Sequence, residues 1–95
     1  MTGAQPVQVT EVSAPGCHFC DDARAALSEF AKSYPVQVQT VDADSADGQA
    51  LLARYGVGMF PLVLVDGMFF SAGRLPRRKL SRLLTRPAST PAGGR

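Results

Sequence analysis

Apolar and polar residues alternate from Val7 and Val9 through to Val12, and this period of two predicts a short first strand. Ser13-Ala14-Pro15-Gly16 interrupts the alternation as a turn. From Cys17 the period changes. Ala23, Ala26, Leu27, Phe30, Ala31 and Tyr34 recur at helical spacing, with Asp22, Arg24, Glu29 and Lys32 mostly on the other side, and Pro35 ends the helix. Alternation returns from Val36 to Val41, with Val36, Val38 and Thr40 on one face of a second strand. Asp42-Ala43-Asp44-Ser45 is a turn rich in N-cap residues. A second helix follows from about Ala46 to Tyr55, burying Leu51, Leu52 and Tyr55, with Gly56 as its left-handed stop.

The apolar run Leu62-Val63-Leu64-Val65 suits a strand covered on both faces. Asp66-Gly67 is a two-residue hairpin turn, Met68 to Ala72 returns antiparallel, and Gly73 breaks the strand. Pro76 opens a third helix whose apolar stripe is Leu80, Leu83 and Leu84. The resulting order is β-α-β-α-β-β-α. Strands joined through a helix are expected to be parallel, and the hairpin adds an antiparallel edge. This predicts an α/β domain over residues 1–85, a four-stranded mixed sheet flanked by three helices on both faces. Residues 86–95, with no stripe to bury, are expected to be a disordered tail.

Ninety-five residues suffice for one core but not for a second lobe. No apolar run approaches a membrane span, and Met1-Thr2-Gly3-Ala4-Gln5-Pro6 lacks the basic residues and apolar block of a signal peptide, so a cytoplasmic protein without a membrane partner is expected. The net charge of +2 is unevenly spread. All eight acidic residues precede residue 71, whereas Arg74, Arg77, Arg78, Lys79, Arg82, Arg86 and Arg95 follow it with no acid among them. Arg77, Arg78, Lys79 and Arg82 read as a solvated face opposite the leucines. The sharper alternative is a docking surface for an acidic partner protein. Nucleic acid is not expected as a partner, because no aromatic residues interleave with these charges.

Both cysteines of the chain lie in Pro15-Gly16-Cys17-His18-Phe19-Cys20, at the junction of the first strand and the first helix. If the helix begins at Cys17, one turn brings the two sulfurs close enough to form a small disulfide ring. The first thiol then faces backbone N–H groups that lack carbonyl partners, and that field stabilises a thiolate. A redox dithiol is therefore the favoured chemistry, consistent with a cytoplasm in which disulfides are mainly transient and catalytic. A zinc site needs about four ligands, and the chain offers two cysteines with His18 locked between them. A metal or cluster shared across a dimer stays open, as do two inert thiols or a structural crosslink. Such a crosslink encloses too few residues to remove much chain entropy. Asp21 and Asp22, in or near the first turn, suit the helix dipole but oppose a thiolate at Cys17. A moderately lowered thiol pKa is expected.

Cys17-His18-Phe19-Cys20 between strand and helix, Val57 to Pro61 before the third strand, and Asp66-Gly67 followed by Gly73-Arg74-Leu75 together resemble the thioredoxin superfamily in its smallest, glutaredoxin-like form. The stretch from Val41-Asp42-Ala43-Asp44 through Arg54-Tyr55-Gly56-Val57 is similar to the middle of small bacterial glutaredoxin-like proteins, and the resemblance runs from about Val7 to Leu84. It implies a thiol-disulfide oxidoreductase in cell redox homeostasis, with Cys17 attacking a substrate disulfide and Cys20 resolving the mixed disulfide. It implies a disulfide-containing protein or low-molecular-weight thiol as substrate and a thiol or flavoprotein as reductant. No cofactor or metal is required, and nothing in the pattern suggests an obligate interface, so a monomer is expected.

By the same resemblance Pro61 is the family's cis-proline, facing the cysteines and leaving the backbone of Phe60 free to pair with an extended substrate. His18, Phe19, Phe60 and Pro61 form the substrate side. His18 is a candidate for tuning Cys17, and Phe19 is expected mainly to fill space at the helix start. Some features depart from the pattern. Met59-Phe60 stands where glutaredoxins carry a threonine and a smaller residue. Ala72-Gly73-Arg74-Leu75-Pro76 keeps one glycine and supplies arginine where glutathione-binding relatives carry Gly-Gly and an acid. A basic residue before Cys17 is missing. The absence of tryptophan and of Gly-Pro between the cysteines separates the chain from close thioredoxins. The rival reading is a redox-inert or metal- or iron-sulfur-carrying binding module that holds a partner at the edge near Phe60 and Pro61.

Overall fold

The computed structural model describes residues 6–85, so the expected tail at 86–95 and the first residues of the expected domain lie outside the described residues. The elements are β1 (Val7–Ser13), α1 (His18–Ser33), β2 (Val36–Asp42), α2 (Ala46–Tyr55), β3 (Leu62–Val65), β4 (Met68–Ala72) and α3 (Arg77–Thr85). They form one mixed sheet in the order β2-β1-β3-β4. β1 pairs parallel with β2, while β3 runs antiparallel to both β1 and β4. The expectation that helix-linked strands run parallel therefore holds across α1 and fails across α2. After α2 the chain crosses to the far side of β1 and enters β3 from the opposite end. β3 becomes a central strand, buried at all four positions.

Residue parity on β1 divides the core. Val9 packs with Ala23, Ala26 and Leu27 of α1 and Leu80 of α3 on one face, and Val12 packs with Leu62 and Leu64 under Leu51, Leu52 and Tyr55 of α2 on the other. The helices thus cover both faces, as expected. Ala31, read as part of the α1 stripe, points outward. Val38 is exposed as well, because β2 is an edge strand that buries only its ends, with Val36 and Val41 packed on opposite faces.

Local signals set the ends of the elements. Ser45 Oγ accepts the Gly48 N–H at 3.0 Å as the α2 N-cap, and Gly56 closes the helix with φ 62°. Asp66 and Gly67 both have positive φ, as the two-residue turn requires. Asp66 also anchors that turn to β1, accepting the Gln8 N–H on Oδ1 at 2.9 Å and donating its own N–H to the Gln8 carbonyl at 2.7 Å. A register shift between Val63 and Leu64 leaves Phe70 as an extra residue of β4, and its side chain turns into the α1 and α3 side of the core. Pro76 lies just before α3 and its carbonyl accepts the Leu80 N–H at 3.0 Å.

Candidate active site

The turn after β1 delivers the cysteine pair to the amino end of α1. Gly16 takes φ 69° in that turn, and Cys17 follows as the helix N-cap with extended backbone at φ −100°, ψ 111°. Its side chain does what an N-cap side chain does. Cys17 Sγ accepts the Cys20 N–H at 3.1 Å, so one of the free donors of the first turn points directly at sulfur. Cys17 and Cys20 are paired as a disulfide, with Cα atoms 5.2 Å apart. Their environments differ. Cys17 is partly exposed, whereas Cys20 is 0% exposed and heads the buried stripe that continues through Ala23, Ala26 and Leu27.

The remaining predicted site residues differ in setting, and the pairing of Val12 with Leu62 brings Phe60 and Pro61, which lead into β3, to the end of β1 from which the cysteine turn leaves. His18 is exposed in the first turn of α1. Phe19 is 43% exposed, which corrects its reading as a space-filling residue, since its place on the turn directs it away from both halves of the core. The Phe60-Pro61 bond is cis, as the resemblance implies. Pro61 is fully buried and Phe60 half-buried against the α2 side of the core. Met59 is 57% exposed and lies over Gly73, where a Cβ would meet the methionine methyl at 3.0 Å. Gly73, with φ 91°, donates its N–H to the Pro61 carbonyl at 3.0 Å and so ties the end of β4 to the proline corner.

The acidic residues beside the cysteines do not stand alone. Asp21 pairs with Arg24 one turn along α1, and Asp22 pairs with Arg77 of α3 at 2.7 Å. Their opposition to a thiolate is correspondingly reduced. Among the described residues no three His, Cys, Asp or Glu side chains gather in a way that could hold a metal ion.

The residue that the pattern reading missed is Glu11. It has the parity of Val9 and therefore faces α1, on the side of the sheet toward which the Cys20-Ala23-Ala26-Leu27 stripe is turned. Glu11 is 0% exposed, and neither carboxylate oxygen has a hydrogen-bond partner. Burial raises its pKa above the ordinary 4.5, the Arg24 guanidinium offsets part of that rise, and Asp21 adds to it. The available signal was parity: an acid in phase with Val7 and Val9 on the first strand.

A mixed sheet covered by helices on both faces, a cis-proline corner and a CxxC pair split between an exposed N-cap and a buried first turn define a thioredoxin-fold domain built for thiol-disulfide chemistry. The thioredoxin domain family model matches residues 7–84, and the chain belongs to that family. No curated protein sequence matches the chain at a significant level. Among solved structures, a mutant thioredoxin from Halobacterium salinarum is similar at 24% identity, covering 84% of this chain and 73% of that one with a TM-score of 0.61. Thioredoxin from Fasciola hepatica is also 24% identical, covering 84% and 79% at 0.59. A thioredoxin-like protein from Clostridium perfringens is 12% identical, covering 87% and 71% at 0.67. At these identities the structural likeness carries the fold.

Proposed function

We propose that this protein is a glutaredoxin-like thiol-disulfide oxidoreductase that reduces protein or low-molecular-weight disulfides. The observation that carries this reading is the asymmetry of the pair: Cys17 is reachable and its sulfur accepts a helix N-terminal N–H, while Cys20 is sealed beneath it. In the dithiol form the Cys17 thiolate attacks one sulfur of a substrate disulfide, forming a mixed disulfide and releasing the other substrate sulfur as thiolate. Cys20 then loses its proton and displaces the second substrate thiolate, leaving the Cys17–Cys20 bond. Two electrons pass to the substrate, and a thiol or flavoprotein reductant restores the dithiol. Glu11, buried on the face that Cys20 heads, is the proton acceptor for the second step. Its raised pKa suits exchange with a buried thiol better than an ordinary carboxylate would.

His18, Phe19, Phe60 and the backbone around Pro61 make up the substrate-facing rim. Phe19 and Met59 favour apolar residues beside the attacked disulfide, and Arg74 next to Gly73 disfavours the ammonium end of glutathione. The setting is the cytoplasm and the working form a monomer. Among the described residues no helix is long and apolar enough to cross a membrane.

The test is alkylation of the fully reduced protein against pH, with the modified residue located by mass spectrometry. Cys17 is expected to react first, with a thiolate titration below the free-thiol value of about 8.5. Cys20→Ser should accumulate mixed disulfides with protein substrates, and Cys17→Ser should not. Slow reaction of both cysteines at ordinary or raised pKa would leave a thioredoxin-fold binding module instead.

A further inference from the structure

Among the described residues, the basic side chains after β4 gather on one surface. Arg74, Arg77, Arg78, Lys79 and Arg82 line one open groove of about 620 Å³, with Asp22 its only acidic residue. Two of these cations are already engaged. Arg77 pairs with Asp22, and Lys79 donates to the Phe70 carbonyl at 3.1 Å and sits 4.7 Å above the Phe70 ring. Arg74, Arg78 and Arg82 are exposed and make no ion pair among the described residues. Arg78 and Arg82 lie one turn apart on α3, with Arg74 just before the helix. Like charges so placed repel one another, and α3 has no acid in its first turn to offset them.

Two lining residues connect the groove to the redox site. Asp22 is two residues beyond Cys20 on α1, and Arg74 follows Gly73, whose N–H bonds the Pro61 carbonyl. Arg78 and Arg82 are about 6 Å apart along the helix axis. Extended chain advances ~3.3 Å per residue, so acidic residues at every second position match that interval.

We propose that this groove docks an acidic, extended segment flanking the disulfide of the partner protein, holding it while Cys17 attacks. The proposal rests on the oxidoreductase reading for the attack itself, but the docking can be measured separately. Nucleic acid fits less well, since the groove presents no aromatic side chain on which a base could stack.

The experiment compares two peptides that share one disulfide core, one extended by alternating acidic residues and the other by Ser-Gly, with a small neutral disulfide as control. Exchange rates are measured for the wild type, for Arg78→Glu/Arg82→Glu and for Arg78→Gln/Arg82→Gln, at low and high ionic strength. The acidic peptide is expected to react about tenfold faster than the neutral one at low salt. High salt or either double variant should remove the preference and leave the small-disulfide rate unchanged. Equal rates for the two peptides, with the small disulfide still turned over, overturn the docking and spare the redox reading. If nothing is turned over, the redox reading fails, and fluorescence anisotropy of the labelled acidic peptide decides the docking: salt-sensitive binding lost in the double variants supports it, and no binding overturns it. Tighter binding of a single-stranded oligonucleotide than of the acidic peptide also overturns it.

Discussion

Glu11 is the residue at which stability and chemistry conflict. An apolar side chain at that β1 position would extend the packing of Val9, whereas the carboxyl is buried without a partner. Its pKa is raised, so between the ordinary value of 4.5 and the higher folded value the native state holds more protons than the unfolded state. Stability is therefore fullest below that window and falls as pH rises through it. Urea denaturation across this range should show the decline in the wild type and a flatter profile in Glu11→Leu, which gains about 1–3 kcal/mol at neutral pH. Parallel profiles for the two proteins would exclude a protonation-linked cost at Glu11. Glu11→Gln should slow resolution of the Cys17 mixed disulfide while leaving its formation intact, an outcome that a purely structural role would not produce.

At the scale of elements, each helix start does a different task with the same backbone donors. α1 points one at the Cys17 sulfur, α2 satisfies its own with Ser45, and α3 surrounds its start with cations. The α2 start also depends on a glycine within the helix. A Cβ on Gly48 would fall well inside contact distance of the Asp42 carbonyl oxygen and of Ala43, in the turn that leads out of β2. Alanine is intrinsically favoured over glycine in helices by about 1 kcal/mol, yet overpacking typically costs about 1–3 kcal/mol. Gly48→Ala is thus expected to lower stability, and an increase in the denaturation midpoint would show that the turn can move aside.

For the whole molecule, α3 is held mainly by burial. Leu80 is fully buried against both α1 and the sheet, whereas the Arg77–Asp22 pair that spans α1 and α3 is about half exposed. Leu80→Ala should cost about 2–5 kcal/mol. A double-mutant cycle on Arg77 and Asp22 should return less than about 1 kcal/mol, because water screens the pair. A larger coupling for the ion pair than the loss at Leu80 would reverse this ranking. The ranking bears on the groove: Arg74, Arg78 and Arg82 can serve a partner because the leucine stripe, not the charges, keeps α3 in place.

Period and punctuation in the chain were enough to specify the seven elements, the Asp66-Gly67 turn, the Gly56 stop and the position of the cysteine pair, since each depends on contacts a few residues apart. The same locality explains the misreadings. Whether Val38 was buried depended on which strand lay at the edge, and whether Ala31 was buried depended on how α1 seated on the sheet. The antiparallel entry of β3 depended on a crossing that no short window records. Glu11 was visible as an acid in a strand, but its burial required β1 to be central and α1 to close over it. The exposure of Phe19 and Met59 likewise followed from how the elements assembled. Assembly alone placed Arg74, Arg78 and Arg82 in one groove with Asp22 of α1, because charge spacing in a chain does not say which surfaces a fold brings together.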